Sequence, residues 1–264
     1  MYETPLSYHW SDPPDDGGGY TELMQFRLIY EGSLKTASKR DTRVREKHEI
    51  RRQLHWQLVE LWRRHPGLAA FRKRLVRSPI LEGLRMEPAG DDEPEDVKKI
   101  VENQDKALVG LDHLLRMVSL ADYDESYIEK LAKRFVRSNG FSFVPLVSKE
   151  LELVCGLDIL FLRRSDPGSI VGHGGDVDNR IKTLMDALRI PSDGGELGSA
   201  VPAEGEDPLF VLLEDDALIS ELNIKTDRLL TKPQENGSPN DVMLIINVTV
   251  RVSSYNRYNA RLIL

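Results

Sequence analysis

Apolar and polar positions change their period along the chain, and each change predicts an element. Met24, Phe26, Leu28 and Tyr30 alternate with polar neighbours, which predicts a strand ending at Gly32. Over residues 45–64, Ile50, Leu54, Leu58, Leu61 and Trp62 recur at helical spacing, with Arg51, Arg52, Arg63 and Arg64 assigned to the opposite face. Pro66 and Gly67 break this basic amphipathic helix, and a shorter basic helix is predicted over 68–77. Stripes such as Leu108, Leu111, Leu115 and Val118 predict helices over 97–120 and 125–137, closed by an Asn139-Gly140 turn. Leu151, Leu153, Cys155, Leu157, Ile159 and Phe161 then alternate strictly and predict a second strand. A Gly-rich stretch leads to a helix over 179–189, a loop over 190–208, and strands over 209–213 and 217–225. Val242, Leu244, Ile246, Val248, Val250 and Val252 carry the last strand. The order β–α(insertion)–β–α–β–β predicts an α+β fold: a mixed β-sheet with helices packed on it and an extra helical insertion.

Composition narrows the class. Hydrophobic residues make up 40% of the 264, enough for a sizeable core, which excludes collagen-like, coiled-coil and wholly disordered chains. No apolar run approaches the ~18 residues of a membrane span, and the N-terminus has no basic-then-apolar layout. One cysteine, Cys155, excludes an internal disulfide framework and a multi-cysteine metal site, and its place in an apolar strand predicts a buried structural thiol. A soluble, cytoplasmic protein without a membrane partner is expected. The net charge of −7 hides an asymmetry. Residues 33–80 hold 14 Lys/Arg against 4 Asp/Glu, leaving 22 basic and 39 acidic side chains elsewhere. A basic surface that meets an anionic partner is one reading of this, and a solvated helix face is the other.

Candidate chemistry concentrates in two acidic elements. In the first, Asp176 and Asp178 lie two apart in a predicted extended approach, so their side chains can point the same way. Asp178 or Asn179 is placed to cap the helix that follows, and Lys182 and Asp186 continue the face of Asp178 at successive turns. The second element is Glu214-Asp215-Asp216, between two apolar runs. Consecutive carboxylates repel unless they are solvated or share a cation, and beside Asp176 and Asp178 they would offer hard oxygen ligands to Mg²⁺. A bound Mg²⁺ would acidify a water for attack on a phosphodiester, with Lys182 stabilising the charge that develops. Each piece also has an ordinary reading: a helix cap, a surface ion pair, a turn. His48, His55 and His65 show no metal spacing, and His48 and His55 read as surface groups of the basic helix. His173, in a Gly-rich stretch without the Lys-Ser/Thr of a P-loop, is a minor candidate for a proton shuttle.

Together the two elements resemble the RusA family of Holliday-junction resolvases. The resemblance rests on DxDNxxKxxxDAL at 176–188, a strand ending in Asp215-Asp216-Ala217, and the alternating I–x–E–L–x–I–K strand at 219–225. It implies a small homodimeric, Mg²⁺-dependent endonuclease that cuts branched DNA. It assigns catalysis to Asp176, Asp178, Lys182 and Asp216, with the three aspartates as metal ligands and Asn179, Asp186 and Asp215 in support. The basic segment then supplies a phosphate-gripping footprint, for which Lys35, Lys39, Arg40, Arg43, Arg51 and Arg52 are candidates, with Arg163 and Arg164 nearer the acidic motif. The resemblance covers about 144–252 and, more loosely, 24–52. The chain then divides into a flexible tail (1–19), a first strand with basic helices (20–77), a helical insertion (78–140) open to a protein partner, and a catalytic core (141–264). Two alternatives share these residues: a catalytically weak or silent DNA-binding protein, and a nuclease retargeted to flaps, forks or RNA-containing hybrids.

Overall fold

The computed structural model describes residues 20–35, 40–71, 95, 98–99, 102–103, 126–137, 139–164, 176–230, 238, 240–256, 259 and 262. Most of the expected insertion, the predicted 97–120 helix, the tail and His173 therefore lie outside the described residues.

Three long strands form the sheet, for the reason the alternation gives. β1 (Thr21–Ser33) pairs antiparallel with β6 (Asp241–Val252), and β6 pairs antiparallel with β3 (Leu153–Arg163). The register stacks apolar residues in rows: Phe26 opposite Val248 and Leu157, Leu28 opposite Ile246 and Ile159, Tyr30 opposite Leu244 and Phe161. One face is thus buried and the other polar, as a half-covered antiparallel sheet requires. β5 (Ile219–Arg228) adds parallel to β3, giving the order β1-β6-β3-β5. Cys155 lies on the buried face, and burial pushes its thiol pKa up to about 12, as a structural thiol requires.

A second sheet was not expected. β2 (Phe143–Val147) and β4 (Leu209–Leu213) pair parallel, and all ten residues are buried. Covered on both faces, they show uniform apolar runs in place of alternation. β4 was legible as such a run. β2, interrupted by Pro145, was not.

The long helix α1 (Arg40–Arg64) packs between these sheets, contacting β1, β4 and the later helix of the acidic motif. Ile50, Leu54, Leu58, Leu61 and Trp62 are buried as predicted. So are Arg51, His48 and His55, which corrects their assignment to an exposed face: neighbours on several sides cover the helix. His55 Nδ1 accepts from the Phe210 amide at 2.9 Å, and its Nε2–H donates to the Gly205 carbonyl at 3.0 Å. Burial lowers the His55 pKa, and the neutral ring clamps β4 and its preceding loop onto α1. Along the outer edge of β1, Gln57 bonds both the Ile29 amide (2.9 Å) and carbonyl (2.7 Å), and Gln53 does the same at Glu31 (3.3 and 3.1 Å). Helix α2 (Pro66–Phe71) opens with proline, whose missing amide hydrogen costs nothing there. It is shorter than the predicted 68–77. Helix α3 (Tyr127–Arg134) begins with a capping box, Ser126 Oγ accepting from the Glu129 amide and Glu129 accepting from the Ser126 amide.

His48 yields a pH prediction. Its ring packs edge-on against Phe141 and both nitrogens are without hydrogen-bond partners. Burial, followed by Arg52 and Arg51, lowers its pKa to about 4, against the smaller opposing pull of Glu206 and Glu49. The unfolded chain, with an imidazole near 6.5, then binds more protons than the native one below that pH. Native stability is expected to fall by about 3 kcal/mol from this group as pH drops from 6.5 to 4. Chemical denaturation of wild type and His48→Phe across that range checks it: the variant's pH slope should be shallower.

Candidate active site: two acidic groups at opposite ends of a helix

Helix α4 (Asp176–Leu188) forms because Ile181, Leu184, Ala187 and Leu188 make one buried stripe. It starts earlier than predicted. Acidic residues suit the positive end of a helix dipole, so Asp176 and Asp178 belong to its first turn and neither Asp178 nor Asn179 is a cap. The extended approach expected through Asp176 and Asp178 is helical backbone, and the alternation argument no longer applies to that pair. The side chain of Asp176 lies outside the described residues. Asp178, Asn179 and Lys182 are exposed, with Lys182 one turn beyond Asp178. A cleft of about 280 Å³ between α4 and α1 is lined by Asn179, Lys182 and Thr183 on one side and Arg43 and Lys47 on the other.

Asp186 has a structural task. Its carboxylate accepts from Lys47 Nζ at 2.6 Å and from Arg189 Nη2 at 3.3 Å, and its carbonyl accepts from the buried Arg51 at 2.7 Å. Arg189 also meets Glu196 at 3.0 Å. Burial alone would lower the Arg189 pKa, but bonding to Glu196, with Asp186 and Asp216 behind it, raises it. This network joins α1 to α4. Asp186→Ala strands Lys47 and Arg189 in a half-buried setting and is expected to cost about 1.5–3 kcal/mol. A denaturation midpoint unchanged from wild type would refute that role.

The Glu214-Asp215-Asp216 run is the turn its ordinary reading predicts, and it is held in a definite pose. Glu214 Oε2 accepts from the Lys149 amide at 2.9 Å. Asp215 Oδ2 pairs with Lys149 Nζ at 3.1 Å while its Oδ1 caps the short 3₁₀ turn Asp216–Leu218 through the Ala217 amide at 3.0 Å. That amide bond, then Lys149, lowers the Asp215 pKa. Asp216 is left exposed in a second cleft with Arg137 and Arg189. Lys149 carried no signal in the sequence, because it stands in the turn after the strand that was not predicted.

Topology separates the two acidic groups. The end of α4 joins the end of β4, where the Ile190 amide bonds the Leu213 carbonyl at 3.0 Å, and Asp216 acts on Arg189 there. The start of α4 lies towards Asn240, near which β1 and β6 meet, since Arg180 reaches its side chain at 3.5 Å. Asp178 and Arg189 are therefore roughly 16 Å apart along the helix axis. Among the described residues, no three His, Cys, Asp or Glu side chains converge to hold a metal.

The expected phosphate-gripping set is thinned. Arg51 is buried under α4, and alternation places Arg163 on the covered face with Ile159 and Phe161, so neither presents its guanidinium to a surface. Arg52 is held by Glu206 at 2.7 Å. Lys35 and Arg164 are half-buried, and Lys35 acts on the buried Glu46. Arg43 is exposed at the cleft with Lys182, while Lys39 and the Arg40 side chain lie outside the described residues. No described helix is long and apolar enough to cross a membrane. Comparison of the chain with protein-family models, with curated proteins and with solved structures finds no match in any of the three.

Proposed function

We propose that the chain is a Mg²⁺-dependent, structure-selective DNA endonuclease of the RusA type, acting on branched DNA as a homodimer. The observation that carries this reading is the pose of the second acidic element. Lys149 engages Glu214 and Asp215, and Asp216 is left facing solvent at the end of a buried strand. A turn without further purpose has no need of three successive carboxylates held this way. The donor chemistry fits a hard cation: exposed aspartate oxygens that leave room for retained waters. Asp176 with Asp178 forms one ligand group, and Asp216, oriented by Asp215, forms the other. The two groups stand apart in one chain, and a homodimer offers each a counterpart on the second copy.

Bound Mg²⁺ would supply an activated water and neutralise charge on the scissile phosphate. Lys182, exposed one turn from Asp178, places its ammonium where a phosphate approaching α4 gains charge in the transition state. Arg43 and Lys47 line the same cleft and hold the backbone without reading sequence. A panel of four-way junctions, forks, flaps, RNA–DNA hybrids and linear duplex, at one fixed salt concentration, tests the substrate class, because phosphate-driven affinity falls steeply with salt. Paired nicks confined to branched DNA are the expected result. Cleavage of linear duplex at the same rate would overturn structure selectivity.

A further inference from the structure

The two edges of the main sheet are finished differently. The β1 edge is capped by Gln53 and Gln57, which occupy backbone groups at Glu31 and Ile29. The β5 edge has no such cover: among the described residues no strand pairs with its outer side, over a run of 10 residues. It contains no proline to deter pairing. Leu222 stands in register with Leu157 on the covered face of the sheet, yet is 45% exposed, and Ile224 beside Ile159 is half-buried.

Charge on this strand selects a partner. On the polar face, Glu221 and Lys225 flank Asn223 at equal distance along the strand. A two-fold axis through Asn223 sets Glu221 of each copy opposite Lys225 of the other, Leu222 opposite Ile224, and Asn223 opposite itself. Keeping the apolar face continuous allows only registers that pair residues of like parity. Of the neighbouring registers, one sets Glu221 against Asp227, and the other leaves Glu221 against Asn223 and Lys225 against Ile219. Opposite charges across a strand pair stabilise it and like charges destabilise it, so the first register is selected. A two-fold interface of this kind is self-complementary and closes at two copies.

We infer that two copies of the chain associate through the outer edge of β5, antiparallel about Asn223, with Glu221 of each copy facing Lys225 of the other. This deepens the homodimer proposed above and rests on it. The second copy supplies the backbone partners that β5 lacks and covers Leu222 and Ile224.

The full-length Asn223→Cys variant tests the register. Facing positions in an antiparallel pair have Cα atoms about 4.5–5.5 Å apart, within disulfide reach. Treatment with diamide should give a covalent dimer, whereas Lys225→Cys, displaced from its own copy, should not; Cys155 is buried and stays out of the reaction. By sedimentation, Lys225→Glu should weaken association by about tenfold or more, since two attractive pairs become repulsive. Adding Glu221→Lys should restore it. Failure of Asn223→Cys to cross-link, or dimerisation indifferent to Lys225→Glu, overturns the interface and points to another occupant of the edge. DNA cleavage by a wild type that sediments as a monomer overturns the interface and leaves the endonuclease reading standing. A cross-linked dimer that never cuts does the reverse.

Discussion

Asp178→Asn is expected to abolish Mg²⁺-dependent cleavage of branched DNA while leaving the fold in place. Asp178 is exposed in the first turn of α4, so the substitution touches no core contact. It removes one favourable charge from the helix N-terminus, and a stability change below about 1 kcal/mol follows. Cleavage should respond very differently. Losing a group that merely orients a metal ligand costs roughly 10- to 100-fold, so losing a direct ligand is expected to exceed about 100-fold. DNA binding should persist, because phosphate contacts fall to cations such as Arg43. Initial rates of junction cleavage, beside a melting curve and a binding isotherm, separate these effects. Cleavage within a few-fold of wild type would remove Asp178 from the metal site.

The largest stability effect is expected at Trp62. It is fully buried at the end of α1, edge-on to Phe71 at 6.2 Å and to Phe210 at 5.9 Å, so one indole joins α1, α2 and β4. Trp62→Ala should cost about 3–5 kcal/mol through lost contacts and a residual cavity. That is a large share of the roughly 5–15 kcal/mol that stabilises a typical protein. Trp62→Phe keeps an aromatic ring and removes an indole N–H that has no hydrogen-bond partner, so it should cost clearly less. Urea denaturation checks both. A Trp62→Ala loss below about 1 kcal/mol would mean that α1 is not anchored there.

What the sequence made legible follows from where burial is one-sided. β1, β3 and β6 each bury a single face, and Phe26, Leu157 and Val248 fall in one row because alternation alone puts them there. α4 and β4 were readable as a helical stripe and an apolar run. The errors lie where distant parts of the chain meet. His48, His55 and Arg51 occupy a helix face that looks polar locally and is covered by α4, β4 and the Gly205 loop. Asp186 matched a motif position, but only the fold shows it joined to Lys47 and Arg189. Lys149 stands 66 residues from Asp215 and nothing local couples them. Asp178 and Asp216 illustrate the limit best: the motif names both, while the length of α4 determines how far apart one chain holds them.

The most direct test of the central proposal is incubation of the purified protein with an end-labelled, immobile four-way DNA junction, with Mg²⁺ and with EDTA. The account predicts paired nicks on opposing strands with Mg²⁺ and none with EDTA. Tight junction binding with no cleavage at any Mg²⁺ concentration would contradict it and leave a DNA-binding protein that retains the acidic elements without their chemistry.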